Sequence, residues 1–396
     1  MFGKRFELFQ VLGFKIRIDA SWFLLAILIT WSLASSYFPA VVPDLPTTSY
    51  WWMGGFGALG LFVSVVLHEL AHSLVARRFG IEMDGITLFI FGGVAEMRNE
   101  PPSPRAEALV AIAGPIASVA LSGAFRGLDR VGQAGGVFGP EVGAALDYLV
   151  WVNLLLAGFN LIPAFPLDGG RVLRAALWHF KGSLRWASHV SSRVGSGFGT
   201  VLILLGLASA LFGNLVAGIW WFVLGLFLRG AARASYQQVL LRQALEGEPV
   251  SRFMSGRPIT VPPSIPVREL VEDYVYKHHH QIFPVVTEGR LVGCATTHAI
   301  KELPRDQWES QSVQSIMVPC TGENTVSPET DAMEALSRMN RQRISRLLVV
   351  RDGELVGILT LKDLLSFFAS KFALGDFDDD SAPPSFGSRT PPGSPR

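Results

Sequence analysis

Cysteine and charge are both scarce in this 396-residue chain. The two cysteines, Cys294 and Cys320, form no C-x-x-C pair and no plausible disulfide framework, which predicts a reducing, cytosolic environment for the part that carries them. Charged residues make up only 17%, and the net charge of +1 gives no electrostatic indication of a nucleic-acid partner. Residues 1–19 lack the apolar core and the cleavage site of a signal peptide, so no cleavage is expected.

The few charges are unevenly distributed. Residues 1–249 hold 33 of them, whereas the shorter stretch 250–396 holds 34. The first part is therefore too apolar for a water-soluble domain, and the second has an ordinary soluble composition. A membrane span needs about 20 mostly apolar residues. Six segments meet or approach this length, namely 20–37, 52–76, 106–125, 146–165, 194–212 and the shorter 215–228. The sequence thus predicts a polytopic α-helical membrane protein with about six transmembrane helices.

The distribution of Lys and Arg predicts the orientation of these spans. With the N-terminus in the cytoplasm, 16 basic residues of the apolar part fall inside, and only Arg126 and Arg130 fall outside. Positive charge is retained on the cytoplasmic side of membrane proteins. We therefore expect a multi-pass protein of the cell membrane whose N-terminus and polar C-terminal part are both cytoplasmic.

An HExxH motif lies within the second apolar segment, at 68–72. Residues four apart share one face of a helix, so His68 and His72 can bind the same metal ion. Glu69 lies beside them, where it can take a proton from a water molecule. Ionisable groups within a span are costly, so they point to function. A polar hydrogen-bonding cluster in a transporter is the alternative interpretation.

A third ligand is predicted near the end of the fourth segment, in the stretch NLIPAFPLDGGR at 160–171. Two prolines, Pro163 and Pro166, must unwind the helix there, and Gly169 and Gly170 are expected to let the chain turn tightly straight after Asp168. Two histidines, one carboxylate and an open fourth position make a catalytic zinc site. The alternative is that Asp168 is a solvated helix cap.

Together, HELAH and N-x-x-P-x-x-P-L-D-G-G-R resemble the motifs of the site-2 protease family of intramembrane zinc metalloproteases, over roughly residues 1–235. The resemblance implies one zinc ion per chain, with Glu69 activating the water and Asn160 holding substrate or the developing oxyanion. The zinc ligands that it implies are His68, His72 and Asp168.

Two shorter stretches agree with the same family. Phe91–Val94 matches its G-G-V stretch, and Gly114-Pro115 matches the start of its G-P-x-x-N pattern, in which Ser118 replaces Asn. Whether Ser118 forms the hydrogen bond of that Asn stays open. The β-branched and aromatic segment before the glycines is either a surface hairpin or an edge strand that pairs with an unwound substrate. The second interpretation makes Gly92 and Gly93 substrate-binding residues.

Residues 250–370 contain an internal duplication in which each copy has the order helix, strand, turn, strand, helix. The pattern resembles a tandem pair of CBS domains, an α/β cytoplasmic module at 245–307 and 308–373. The ribose- and phosphate-binding signature G-h-x-T-x-x-D is complete in the second copy, with Thr360 and Asp363, but the first copy has Ala299 in place of Asp. The resemblance implies an adenine nucleotide (ATP, ADP or AMP) at Thr360 and Asp363, and it leaves open a homodimer formed through the CBS domains.

These interpretations combine into one predicted function. The chain is expected to be a zinc-dependent endopeptidase that hydrolyses single-span membrane proteins in regulated intramembrane proteolysis, with modulation by adenine nucleotide through the CBS pair. A non-catalytic transporter or an inactive protease-like chaperone is the alternative, and the intact Glu69 argues against it. The histidines at 278–280 are interpreted as solvated and packing residues, and the tail 374–396 is expected to be disordered.

Overall fold

The computed structural model describes residues 5–90, 92–97, 100–256, 258–342 and 344–374. The chain divides into two compact units, Met1–Gln237 and Gln238–Arg396. Apart from Leu374, the predicted disordered tail lies outside the described residues, as does Phe91 of the G-G-V stretch.

Within the described residues, six helices are long and apolar enough to cross a membrane, which confirms the predicted number of spans. The first runs from α1 (Ala20–Ser32) through a π-helical turn (Leu33–Tyr37) into α2 (Phe38–Val41). The remaining helices are α3 (Thr47–Arg78), α4 (Pro104–Ala134), α5 (Pro140–Asn160), the shorter α6 (Asp168–Lys181), α7 (Leu184–Leu211) and α8 (Leu215–Leu245). Large apolar side chains such as Ile27, Leu155 and Leu204 are exposed on them, as in a multi-pass membrane protein that faces lipid.

Several helices differ in length from the predicted apolar segments. The fourth ends at Asn160 and not at Phe165, because the chain unwinds before Pro163. The third continues to Ala134, the fifth begins at Leu184 and the sixth continues to Leu245, so these helices extend into polar sequence. Hydropathy marks only the apolar part of a helix, and the polar ends of α7 and α8 were therefore missed.

A four-stranded sheet lies against α3, and the sequence analysis missed its N-terminal half. Its strands, in the spatial order of their numbers, are β1 (Arg5–Val11), β2 (Phe14–Asp19), β3 (Met83–Phe89) and β4 (Gly92–Met97). Strands β2 and β3 pair in parallel, and the other neighbours pair antiparallel. Ile16 on β2 and Ile86 on β3 are fully buried and share a core cluster with Val66 and Leu70 of α3. This packing holds the β3–β4 hairpin beside the HExxH helix.

A buried ion pair joins α4 to α6. The Nε atom of Arg174 donates to Oε1 of Glu107 over 2.6 Å, and both residues are almost inaccessible to solvent. Nη2 of Arg174 also lies 3.4 Å from Oε2 of Glu100, and its Cζ lies 5.2 Å from the ring centroid of Phe165. These contacts set the position of α6, and with it the position of the residue at its start.

The second unit contains the predicted duplication. The first copy comprises α9 (Val267–Glu269), a π-helical turn (Leu270–Val275), α10 (Tyr276–His278), β5 (Ile282–Thr287), β6 (Arg290–Thr296) and α11 (Thr297–Glu302). The second comprises α12 (Val313–Ile316), β7 (Thr325–Val326), α13 (Ala332–Gln342), β8 (Arg346–Arg351), β9 (Glu354–Thr360) and α14 (Leu361–Ala373). One sheet in the order β5-β6-β9-β8-β7 serves both copies. The α/β class predicted for this part is confirmed.

Each copy has its own core, but the first segment of the unit packs in the core of the second copy. Leu245 at the end of α8, Val250 and Phe253 are buried in one cluster with Ala335 and Leu359. The core of the first copy is a separate cluster, which includes Val261, Phe283 and Ile300. A segment that precedes the first copy in sequence therefore belongs to the core of the second copy.

Candidate metal centre

The two histidines of the HExxH motif lie on one buried face of α3. His68 and His72 are only 2% and 4% exposed, and their ring centroids are 4.9 Å apart. Glu69 is half-buried on the same helix. The i, i+4 spacing thus has the structural result that was predicted, with two imidazoles side by side in an apolar span.

The segment between α5 and α6 is irregular, as its two prolines predicted, and Asp168 follows as the first residue of α6. The predicted tight turn after Asp168 was wrong. Gly169 and Gly170 lie in the first turn of α6. A Cβ atom on Gly169 would lie 2.2 Å from Leu161 O, and one on Gly170 would lie 2.3 Å from Phe165 N. Their function is therefore to let α6 pack directly on the preceding loop.

Asp168 meets both histidines at its carboxylate. Its Oδ2 atom lies 3.2 Å from Nε2 of His68 and 3.2 Å from Nε2 of His72. The ligand atoms of the three residues all lie within 4.8 Å of one another. Ligand atoms at about 2.0–2.2 Å from a tetrahedral zinc ion are about 3.3 Å apart, so the observed spacing fits such an ion.

Helix α4 contacts the Nδ1 atom of each imidazole, which is the ring nitrogen that faces away from Asp168. The Nδ1 atom of His72 lies 2.6 Å from the Val110 carbonyl oxygen, which can only accept, so Nδ1 carries the proton. In the neutral ring the lone pair of Nε2 then faces the Asp168 carboxylate, and two acceptors this close require a cation between them. The Nδ1 atom of His68 lies 2.9 Å from Ser118 Oγ. The residue that replaces the family's Asn therefore does make a hydrogen bond at the site.

Gly114 is a site residue whose role the sequence analysis did not identify. A Cβ atom at this position would lie 2.2 Å from Nε2 of His72 and 2.5 Å from Nε2 of His68. Any side chain there would occupy the space in front of the two donor nitrogens. The G-P pair of α4 was noted as a family match, but its purpose depends on packing between α3 and α4 and is not visible in the sequence.

Strand β4 passes next to Glu69. A Cβ atom on Gly93 would lie 2.6 Å from Cγ and 3.0 Å from Oε1 of Glu69, so any other residue here would displace the Glu69 side chain. Gly92 has a φ of +130°, a backbone conformation that favours glycine. Among the described strands β4 is the last of its sheet, with β3 as its one neighbour. The β3–β4 hairpin is present and β4 lies at its edge, and the pairing of β4 with substrate stays a prediction.

Asn160 lies at the end of α5, and its side-chain amide donates to the Leu156 carbonyl over 3.0 Å, within the helix. The structure thus records an intrahelical hydrogen bond for the residue that was expected to hold substrate.

In the second unit, Thr360 and Asp363 bond to each other at the start of α14. Asp363 Oδ2 accepts from the backbone N and the Oγ1 of Thr360 at 3.0 and 2.6 Å, and Asp363 N donates to Thr360 Oγ1 at 3.1 Å. In the first copy, Ala299 N donates to Thr296 Oγ1 at 3.1 Å. The same helix start therefore occurs twice, with the carboxylate in the second copy alone.

A cavity of about 180 Å³ lies between the two copies on the side of Thr296. Arg346 and Asn324 line it together with apolar side chains. Of the three adjacent histidines, His280 lies two residues before the nearby β5. Partial burial and the positive charge of Arg346 lower the pKa of His280, which agrees with a neutral packing role.

These features define a class of protein, a membrane-embedded metalloprotease of the HExxH type joined to a CBS pair. The model of Peptidase family M50 matches residues 56–128 and 133–206, and that of the CBS domain matches 250–305 and 313–370. Rip3 of Mycobacterium tuberculosis is 35% identical over 358 residues, which cover 90% of each chain. The protein sll0528 of Synechocystis is 36% identical over 354 residues, 88% of this chain and 92% of that one.

Both relatives carry zinc metalloprotease in their names. The solved site-2 protease of Methanocaldococcus jannaschii is 29% identical and covers 59% of this chain and 95% of its own, with a TM-score of 0.43. The chain belongs to peptidase family M50, the site-2 type of metalloprotease, and it carries tandem CBS domains. The resemblance stated from the two motifs is confirmed.

Proposed function

We propose that the chain is an intramembrane zinc endopeptidase in which His68, His72 and Asp168 hold the metal ion and Glu69 is the general base. The observation that carries the proposal is the convergence of Asp168 Oδ2 on both Nε2 atoms at 3.2 Å. A bound zinc ion supplies Lewis-acid polarisation of water and of the peptide carbonyl.

Each residue of the proposed metal centre then has a defined role. Ser118 and the Val110 carbonyl hold the imidazole rings so that both Nε2 atoms face the centre. Glu69 takes a proton from the attacking water and delivers it to the leaving amine nitrogen. The dry surroundings of His68 and His72 strengthen every electrostatic interaction at the site.

We further propose that β4 binds the substrate. A transmembrane helix hides its carbonyl groups in its own hydrogen bonds, so the scissile segment must be unwound before it can be hydrolysed. An extended segment can add to the edge of β4 that no described strand covers, and Gly93 of this strand adjoins Glu69. This favours single-span membrane proteins with helix-breaking residues as substrates. Asn160 remains the predicted contact of the developing oxyanion.

The same proposal includes the orientation and the domains that were predicted from the sequence. The N-terminus and the CBS pair are cytoplasmic, and cleavage falls in the inner half of the substrate span. The protease domain comprises residues 1–235, and the CBS repeats comprise 245–307 and 308–373. Adenine nucleotide modulates proteolysis through a site at Thr360 and Asp363.

Replacement of the proposed base, compared with replacement of a proposed ligand, tests this assignment. We expect purified Glu69→Gln to keep one zinc ion per chain and to lose at least about 10²–10⁴-fold in cleavage of a reconstituted single-span substrate. His68→Ala should lose both zinc and activity. Zinc loss in Glu69→Gln would contradict the assigned roles, and equal zinc in His68→Ala and the unaltered protein would favour a non-catalytic protein.

A further inference from the structure

The two cysteines of the chain, 26 positions apart in sequence, meet in the second unit. Cys294 lies on β6 and exchanges both backbone hydrogen bonds with Val318, each at 2.9 Å. Cys320 follows Val318 by two residues and thus lies beside the same strand. Their spacing in the sequence indicates no pairing, because their contact depends on how the segment after α12 returns to β6.

The two thiols also contact each other. The interaction with the Cys320 side chain lowers the pKa of the Cys294 thiol, although burial opposes this. The same interaction, together with burial, raises the pKa of the Cys320 thiol. Asn324 Nδ2 lies 3.9 Å from the Cys294 sulfur and points a donor towards it. Cys294 is therefore the thiol of the pair that ionises first, and Cys320 is placed next to it.

A small oxidant has a route to this sulfur. Cys294 lines the cavity of about 180 Å³, together with Val318 and Asn324. One water molecule takes about 30 Å³ in the liquid, so the cavity has room for hydrogen peroxide. Cys294 itself is only 5% exposed, which keeps larger reagents away, whereas Cys320 is half-buried. Arg346 lines the same cavity.

We propose that Cys294 and Cys320 are a reversible oxidation site, which hydrogen peroxide converts to an intramolecular disulfide in the CBS pair. Both residues are free thiols in the structure. A thiolate next to a second thiol is the arrangement of peroxide-sensing cysteines. Such a pair is compatible with a reducing compartment, where structural disulfides are rare and transient ones occur.

The chemistry balances without another reactant. The Cys294 sulfur attacks one peroxide oxygen and the O–O bond breaks, and the departing hydroxide takes the Cys294 proton and leaves as water. The Cys320 sulfur then attacks the Cys294 sulfur, the S–O bond breaks, and the second hydroxide leaves as water with the Cys320 proton. The two thiols lose two electrons to the peroxide. A small thiol restores both groups by exchange.

The test uses the full chain in detergent and needs no proteolytic activity. The reduced protein is treated with a small molar excess of hydrogen peroxide, alkylated and digested with trypsin. We expect the alkylated thiols to fall from two to none, and the peptides Leu291–Lys301 and Asp306–Arg338 to be joined by a disulfide within one chain. Dithiothreitol should then restore two thiols.

Two matched variants distinguish the roles of the cysteines. Cys320→Ser should accumulate a sulfenic acid at Cys294, which dimedone traps, because the second thiol is missing. Cys294→Ser should leave Cys320 reduced at the same dose of peroxide. Two thiols that persist in the treated unaltered protein would overturn the proposal, as would disulfides formed only between chains or equal dimedone labelling of the two variants.

Discussion

The imidazole of His68 on α3 and the hydroxyl of Ser118 on α4 are 2.9 Å apart although 50 residues separate them. The bond ties the outer nitrogen of the ring to a neighbouring helix and leaves the inner nitrogen to face Asp168. Partners of this kind orient metal-binding histidines and raise their basicity. The hydroxyl is therefore part of the proposed metal centre although it touches no ion.

We expect Ser118→Ala to lower zinc affinity by about 10- to 100-fold, because the ring of His68 loses its anchor. Zinc retention against a competing chelator measures this. Ser122→Ala, one turn further along α4 and also buried, should leave the affinity unchanged. Equal loss in the two variants would mean that the effect comes from helix packing.

Gly114→Ala should abolish zinc binding, because the new methyl group would collide with both Nε2 atoms. Gly123→Ala on the same helix is the control, since a Cβ there meets nothing within 4 Å. Zinc stoichiometry of the two purified variants, with their melting temperatures, distinguishes local from general damage. Full zinc content in Gly114→Ala would contradict the packing of α4 against the histidines.

The pair Arg174 and Glu107 predicts a stability difference. Glu107→Leu alone should destabilise the protein by roughly 3–5 kcal/mol, because it leaves the buried guanidinium with only its longer contact to Glu100. The double variant Glu107→Leu/Arg174→Met should recover most of that loss, since an apolar pair replaces the ionic one. Thermal unfolding in detergent measures both. A double variant no more stable than Glu107→Leu would show that Arg174 has a further role in α6.

The nucleotide proposal predicts an asymmetric pair of sites. Titration of the full chain with ATP, ADP and AMP should detect one site, which Asp363→Ala abolishes, because a carboxylate can hold both ribose hydroxyls. Ala299→Asp should create a second site, since Thr296 begins α11 as Thr360 begins α14. Unchanged affinity in Asp363→Ala would contradict the proposal.

Much of the candidate site could be predicted because its parts are local. The histidines at i and i+4 share a helix face in any helix, and two prolines only three residues apart, Pro163 and Pro166, strongly disfavour a continuous helix. The turn assigned to Gly169 and Gly170 was wrong because a glycine pair permits both a turn and close packing, and only the neighbouring loop decides between them.

The contacts that were missed are all nonlocal. The pairing of β2 with β3 joins residues about 70 positions apart, such as Ile16 and Ile86, and nothing in either strand specifies a parallel partner. The same holds for Gly114 in front of the histidines and for the meeting of Cys294 with Cys320. In each case the partner is determined by how the helices and strands pack, which the sequence expresses only through the whole fold.

The presence of Leu245, Val250 and Phe253 in the core of the second CBS copy affects how the second unit can be isolated. A fragment that began at Val250, where the family match starts, would lack Leu245 and also Leu241, which packs against the same core. The fragment would be destabilised in the core of the second copy, more than seventy residues downstream of the cut, and not in the first copy, which lies next to the cut. The shortest piece that can fold on its own therefore has to include the last turns of α8.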